Sequence, residues 1–509
     1  MFKKILIANR GEIAVRILRA CRELGIRSAC VFSEVDRKSL HVRLADEAYA
    51  IGPAPSRESY LRIDTLMDVA RRAGCDALHP GYGFLAENAA LPRACNEAGI
   101  TFIGPPPEAM EALGSKTAAR RLARRSEVPT VPGANDPTEK SAARALAESM
   151  GYPVLLKAVA GGGGKGMRLV SSDAEFESAF RDAASEAMNA FADERLYVEK
   201  YLERPRHIEI QILADAHGRV VSLGERECSV QRRHQKVVEE APSPVVTPEL
   251  RKKMSDAAVR LARAGGYVNA GTMEFLVDRN LNFYFLEVNT RLQVEHPVTE
   301  QVTGLDLVKL QIAIAAGHRL PFVWETITPR GHAMEVRLYA EDPDNNFFPS
   351  PGKILTRHVP SGPGIRLDEG VYEGWAVPND YDPLLSKLIA WGNSREETIA
   401  RLRRALDEYT ITGIRTNAGL FRRMLAEPEF LRGEIHTRWL DELLRRPPAG
   451  VSSDGSRETR RNAAHDAAAI AAAIWQFRQS AAQASASSPQ DTSSRWKMEG
   501  RRQQLDRMP

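Results

Sequence analysis

The sequence predicts a multi-module chain of the α/β and α+β classes: an open parallel sheet first, then a module of paired strands, then a smaller mixed α+β module. Three observations carry this expectation. Short apolar strands alternate with amphipathic helices from Ile5 to Ile103, the βαβ rhythm of an open parallel sheet. Met273 to Gly304 opens as a hairpin, because Phe275, Val277, Phe283 and Phe285 alternate with other residues on either side of the polar turn Asp278-Arg279-Asn280. Finally, 509 residues exceed one ordinary core, so roughly two to four domains are expected.

In order, Ile5-Leu6-Ile7-Ala8 reads as a strand, Asn9 to Glu12 as a turn, and Ile13 to Leu24 as a helix with Ile13, Ile17, Cys21 and Leu24 on one face. Ser28 to Phe32, Ala77-Leu78 and Thr101-Phe102-Ile103 supply further strands. The decapeptide His79 to Asn88 follows a strand end, where ligands of open parallel sheets bind. His79 by itself reads as a structural histidine. After Gly104-Pro105-Pro106-Pro107 the character changes, and a helix from Lys116 to Arg125 opens the second module.

Tyr152 to Ala160 is a strand that runs into six residues, Gly161 to Gly166, with Lys165 among the glycines, and then into the strand Met167 to Val170. A dinucleotide fingerprint must open a helix, and a Walker loop needs Ser or Thr after its lysine, so both readings fail on context. What remains is a glycine hairpin, Gly163 and Gly164 at its centre, folding its amides over phosphates while Lys157 pairs their charge from the strand. Leu196 to Leu202 is another strand, and Arg206 to Gln211 alternates with period two. The dense run Glu225 to Lys236 reads equally as a solvated basic face or as an anion site. Glu335 to Pro343, Tyr381 to Gly392 and a helix from Arg395 to Tyr409 make the third module. Beyond Pro447 the composition turns to Ala, Ser, Arg and Gln, with a helical stretch from Ala463 to Gln479 placing Ile470, Ile474 and Phe477 on one face.

Composition narrows the function. Lysine and arginine total 70 against 66 acidic residues, a net charge of +4 that argues against a dedicated nucleic-acid binder. No apolar run approaches ~18 residues, so no membrane span or signal-peptide core is expected, and the protein reads as soluble and cytoplasmic. Cys21, Cys30, Cys75, Cys95 and Cys228 form no Cys-x-x-Cys pair and read as buried reduced thiols, not zinc ligands.

The chemistry concentrates at the hairpin. Glu274 and Glu287 are expected to face each other across it, and with Asn289 on the same strand face they supply the hard oxygen ligands that suit Mg²⁺ (or Mn²⁺) between protein and nucleotide phosphates. Arg291, Gln293 and Glu295 continue at period two, which predicts a row of guanidinium, amide and carboxylate beside the metal: a reaction site for a small oxyanion.

The nine residues Asn289-Thr290-Arg291-Leu292-Gln293-Val294-Glu295-His296-Pro297 resemble the signature of biotin carboxylases, the ATP-grasp component of biotin-dependent carboxylases, and the resemblance extends from the first residues to about Arg446. It implies a Rossmann-like N-terminal domain over 1–113, an ATP-grasp domain over 114–330 with a mobile lid at about 130–201, a C-terminal α+β domain over 331–446, and a low-complexity tail over 447–509. It places ATP against Lys116, Lys157, Gly163, Gly164, Leu276 and the hinge strand Glu199, Lys200, Tyr201 and Leu202, with His207, Gln231 and His234 near the nucleotide. One departure is Ala160, where many family members carry another glycine.

By the same resemblance Lys236 and Arg291 hold bicarbonate, Gln293 and the Val294 amide orient it, and Glu295 is the general base. Arg337 meets the biotin ureido oxygen and Tyr82 lies near biotin. The implied reaction is ATP-dependent carboxylation of biotin through carboxyphosphate. No Ala-Met-Lys-Met biotinylation motif occurs, so biotin is expected on a separate carboxyl carrier protein served by a carboxyltransferase subunit. The final acceptor is expected to be acetyl-CoA or propionyl-CoA, with a pyruvate carboxylase subunit or another ATP-grasp ligase as the alternative. A homodimer is implied for the core, and the tail is a candidate docking segment for the partner subunits.

Overall fold

Ile5, Leu6 and Ile7 carry no polar side chain, and the strand they form is buried on both faces at the centre of a parallel sheet. In the computed structural model, which describes residues 1–134, 138–159, 167–191, 193–322, 329–446 and Trp475, this strand is β1 (Lys4–Ile7). There follow β2 (Arg27–Phe32), β3 (Glu47–Ala50), β4 (Ala77–His79) and β5 (Thr101–Phe102), all parallel, in the spatial order β3-β2-β1-β4-β5. The helix Gly11–Glu23 covers Ile5 and Ile7, while the helices Ile63–Arg72 and Ala90–Glu97 cover Leu6 from the other face. Gly11 takes a left-handed φ of 64° and lets the helix start there, ahead of the expected Ile13. The Asn9 amide donates to the carbonyls of Pro80 and Tyr82, at 2.7 Å each, and so pins the loop that leaves β4. His79 ends β4 wholly buried, and that burial pushes its pKa down to about 3.

The span expected to act as a lid has a core of its own. β6 (Val154–Ala158), β7 (Met167–Val170) and β8 (Leu196–Lys200) pair antiparallel in the order β7-β6-β8. Val154, Leu156 and Val198 pack there against Ala143 and Ala147 of the helix Lys140–Met150 and against Phe176 and Ala179 of the helix Asp173–Phe191.

The largest sheet is antiparallel and eight-stranded. It contains β9 (Arg206–Ala214), β10 (Val220–Arg232), β11 (Gln235–Ala241), β12 (Asn269–Val277), β13 (Phe283–Asn289), β14 (His332–Tyr339), and the strands Ile365–Glu369 and Leu384–Gly392. Their order is β13-β12-β9-β10-β11-β14, then Leu384–Gly392, then Ile365–Glu369. The β11–β14 pairing carries this one sheet across the place where sequence patterning divides the second module from the third. Periodicity reports local spans and is blind to which distant strand completes a ladder.

The period-two alternation of Arg206 to Gln211 falls on β9, which beyond Arg206 is buried on both faces. The helix Pro248–Ala264 covers one side, and Glu209 and Gln211 on the other are taken up by a buried arginine described below. All five cysteines are free and buried. No helix among the described residues is long and apolar enough to cross a membrane. Met1–Leu443 forms one compact unit, and Leu444–Pro509 a second in which residues 444–446 and Trp475, helical and exposed, are described. The expected stripe Ile470, Ile474, Phe477 lies outside the described residues, as do Gly163 and Gly164.

Candidate active site

The turn after Val277 pairs Val277 with Phe283 and Phe275 with Phe285, and a β-bulge at Leu286 then shifts the register by one residue, which puts Glu274 directly opposite Glu287. Directly opposed residues share a sheet face, so the two carboxylates point the same way. Glu287 stays partly open and meets Lys116 Nζ at 3.1 Å. Glu274 is buried and accepts from three donors, Lys236 Nζ at 2.7 Å, the Asn289 amide at 2.7 Å and the Gln293 amide at 3.2 Å, and His207 Nε2 lies 2.8 Å away. Burial works to raise its pKa, but Lys236 and His207 overcome this and hold it well below the ordinary carboxylate range.

Lys236, on β11, is the hub. Besides Glu274 its ammonium contacts Glu209 at 2.6 Å and Glu295 at 2.8 Å. Desolvation alone would lower its pKa; the three carboxylates raise it instead, so it is a fixed positive charge. Glu209 is held from the other side by Arg226, which has no exposure and spends its donors on Glu209 (2.5 Å), Gln211 (2.7 Å), Thr299 (3.0 Å) and Thr272 (3.1 Å). A guanidinium satisfied in this way can sit in the core and orient its neighbours.

Arg291, Gln293 and Glu295 do not form the expected row. β13 ends at Asn289, and residues 290–295 run as bends and turns into the helix His296–Thr303, which Pro297 helps to start. The period-two extrapolation fails because the chain leaves the sheet after Asn289, the partner of Thr272, although β12 itself continues to Asn269. The turn nevertheless gathers the same groups. Arg291 donates to Asn289 Oδ1 at 3.0 Å and Gln293 Oε1 at 3.1 Å and pairs with Glu87 at 3.1 Å. Glu295, wholly buried, takes Lys236 on one oxygen and Arg337 on the other at 2.8 Å. Burial would raise its pKa, yet Lys236, Arg337 and Arg226 hold it well below the usual range. Arg337, on β14, also contacts Glu239 at 2.5 Å.

The nucleotide-side residues fall into two groups. His207 links Glu274 to Gln231, whose amide lies 2.6 Å from its Nδ1, and Leu276 stands opposite His207 on β12. His234 is exposed at the tip of the β10–β11 hairpin, with a positive φ of 68°. On the β6–β8 piece, Lys157 and Arg120 both pair with the buried Glu199, while Lys200 donates to the Gly151 carbonyl at 2.7 Å and Tyr201 accepts from Arg438 at 2.9 Å. Leu202 follows β8, partly buried. Tyr82 is partly buried, and its hydroxyl has no hydrogen-bond partner among the described residues.

Sequence reading missed Glu209, Arg226, Glu239 and Glu87. The signal for Glu209 was there, since it stands two residues from His207 in an alternating strand; Arg226 and Glu239 reveal themselves only through cross-strand partners.

These residues can hold a divalent cation against phosphates, fix a small oxyanion between Lys236 and Arg291, and present an ionised carboxylate beside it. Comparisons with known proteins agree with that reach. Family models match three successive stretches: "Biotin carboxylase, N-terminal domain" over residues 1–110, "Carbamoyl-phosphate synthase L chain, ATP binding domain" over 115–323, and "Biotin carboxylase C-terminal domain" over 335–442. A pyruvate carboxylase subunit of Methanothermobacter thermautotrophicus is 54% identical over 450 residues, 87% of this chain and 91% of that protein. A biotin carboxylase of Halalkalibacterium halodurans is 54% identical over 446 residues, covering 87% of this chain and 98% of its own. Among solved structures, the biotin carboxylase domain dimer of Hydrogenobacter thermophilus 2-oxoglutarate carboxylase, in complex with MgADP, ADP and bicarbonate, superposes with a TM-score of 0.81 at 46% identity, over 87% of this chain and 98% of that one.

Proposed function

The chain belongs to the biotin carboxylase family of ATP-grasp ligases, and from that premise we propose that it carboxylates biotin borne on a separate carrier protein, consuming MgATP and bicarbonate. The observation that carries this reading is the placement of Glu295 between two cations, Lys236 and Arg337, at 2.8 Å each. One cation is suited to an oxyanion, and the other to the oxygen of a neutral ring that turns anionic when it loses a proton.

Oxygen donors from Glu274, Glu287 and Asn289 suit Mg²⁺ or Mn²⁺. What supports the fit is the donor set itself, two carboxylates opposed on one sheet face with Glu287 partly open; Lys236 at 2.7 Å and Lys116 at 3.1 Å now neutralise them, and the ion would take over that role as these ammonium groups turn to anionic ligands. Bound there, the ion would neutralise charge on the nucleotide phosphates. Lys116 and Lys157 would add cationic contacts to the same phosphates.

Bicarbonate would lie between Arg291 and Lys236, oriented by Gln293 and the Val294 amide, with Glu295 positioned to take its proton as it attacks the γ-phosphate, displacing ADP and giving carboxyphosphate. At rest Glu295 is ionised but a weak base, because its two cations stabilise the carboxylate. When Lys236 turns to bicarbonate and Arg337 to the biotin oxygen, both are drawn from Glu295 and its basicity rises where a proton must be taken. Carboxyphosphate then breaks into phosphate and CO₂; the phosphate takes the biotin N–H proton and the ring nitrogen bonds the CO₂, while Arg337 stabilises the ring oxygen of deprotonated biotin and the loop carrying Tyr82, pinned by Asn9, supplies a wall for the ring.

Carrier protein, carboxyltransferase and homodimer remain part of this proposal, as do a cytoplasmic location and docking through the tail. The relatives named above serve different acceptors, which supports an acceptor chosen by the transferase; acetyl-CoA or propionyl-CoA is the proposed class, with pyruvate the alternative. The test is ADP release from the full chain, expected to depend on bicarbonate, to rise with free biotin and to yield carboxybiotin. ADP release indifferent to both would refute it.

A further inference from the structure

Lys387 lies on the strand Leu384–Gly392 with no solvent exposure, and the mechanism above does not use it. Its ammonium donates to the carbonyl oxygen of Val294 at 2.9 Å, the peptide group that leads directly into Glu295. Glu12 of the first helix stands 3.3 Å away, and Asp368 3.8 Å away. Asp368 is already committed to Arg366, at 2.7 Å and 3.0 Å. The Tyr82 ring centre is 5.8 Å from the same ammonium.

The sheet explains why this lysine reaches that peptide. Lys387 is directly opposite Arg337 on β14, so two cations of like sign sit side by side on one face. Such a pair repels unless each has a separate anionic or carbonyl partner. Here they divide one residue between them: Arg337 holds the carboxylate of Glu295, and Lys387 holds the backbone just before it. Burying an ammonium is costly, and an apolar side chain would fill the same space without that cost. Fixing the Val294–Glu295 peptide sets the position from which Glu295 reaches bicarbonate and anchors the carbonyl side of Val294, whose own N–H lies in the preceding peptide.

We propose that Lys387 is a positioning residue for the bicarbonate end of the reaction, clamping the Val294–Glu295 peptide from the neighbouring strand while Arg337 clamps the side chain. This rests on the reading of Val294 and Glu295 given under the proposed function.

The experiment uses the full chain and measures bicarbonate-dependent ADP release for the wild type, Lys387→Met, and the double variant Glu12→Gln with Lys387→Met. The double variant removes both members of the buried ion pair, so neither charge is orphaned. Both variants are expected to raise the KM for bicarbonate roughly 10- to 100-fold, the effect of losing one hydrogen bond to a charged group, while the KM for MgATP stays within about two-fold. A double variant with wild-type bicarbonate kinetics would show that Lys387 only neutralises Glu12, and would overturn the proposal. Equal loss toward bicarbonate and MgATP, or failure of both variants to give a native near-UV spectrum, would assign Lys387 to stability alone and overturn it as well. A wild type without bicarbonate-dependent ADP release would instead refute the parent reading.

Discussion

Lys236 Nζ lies 2.8 Å from Oε1 of Glu295, and the same ammonium reaches Glu274, the proposed metal carboxylate, at 2.7 Å. The proposed base and the proposed cation ligand are thus joined through one side chain. Glu209, two residues from His207 on the same alternating strand, completes the shell at 2.6 Å. Removing Lys236 therefore does two things: it takes away the cation meant for bicarbonate, and it leaves three buried carboxylates short of a partner.

Lys236→Gln is expected to lower turnover by roughly 10²- to 10³-fold, the scale of one lost electrostatic contact in a closed site. It should also cost about 3–5 kcal/mol of stability, as a broken buried ion pair does. Urea unfolding and steady-state ADP release measure the two separately. Unchanged stability would mean that the carboxylates find other partners.

Glu295→Gln keeps the shape of the side chain and removes the base. MgATP binding by calorimetry should persist, while bicarbonate-dependent turnover falls by roughly 10²- to 10⁴-fold. Arg337→Ala should spare slow bicarbonate-dependent ATP cleavage and abolish carboxybiotin formation, since its guanidinium is reserved for the second half of the chemistry. Equal loss of both reactions would move Arg337 away from biotin.

Acid stability depends on neighbours that burial treats alike and charge treats differently. Glu239 and Glu240 are adjacent and both buried. Burial pushes Glu239 up to about 7 against the pull of Arg337, whereas for Glu240 burial is outweighed by a 2.7 Å contact with His332 and by Arg395, leaving it at about 2. A carboxyl depressed in the folded state stabilises above its unfolded pKa, near 4.5, and that contribution drains away as pH falls toward about 2. Glu240→Gln should therefore cost about 3 kcal/mol at pH 7 and progressively less as pH falls below about 4.5. Urea midpoints across that range test the sign; a difference that grows on acidification would contradict it.

The hairpin was legible because a polar turn between two alternating aromatic runs leaves few ways to pair them, and Glu274 does face Glu287; the bulge at Leu286 that brings them opposite was not, since the turn's own register would pair Glu274 with Leu286. The stretch 290–295 was not, because alternation does not announce where a strand loses its partner. Arg226 and Lys387 were illegible for another reason. Each reads as a solvated cation until cross-strand pairing shows it buried, beside Glu209 in one case and under Val294 in the other.

The three-stranded piece β6–β8 has its own core, and its connection to the rest of the chain includes the hydrogen bonds Lys200 N to Pro132 O, Ala134 N to Val198 O and Phe285 N to Pro129 O, at 2.7 to 2.8 Å. We propose that this unit, packed within itself, swings as a body over the site. Within it Lys157 is paired to Glu199, where triphosphate oxygens would compete for the ammonium. Amide exchange in 154–158 and 196–200 should therefore slow on adding MgADP, while the buried β1 strand stays unchanged. Lys157→Ala should raise the KM for ATP roughly ten-fold or more, the scale of one lost charged contact, without moving that for bicarbonate. Exchange that is indifferent to nucleotide would show that this piece does not close over the site, and an effect of Lys157→Ala on bicarbonate alone would take Lys157 off the phosphates.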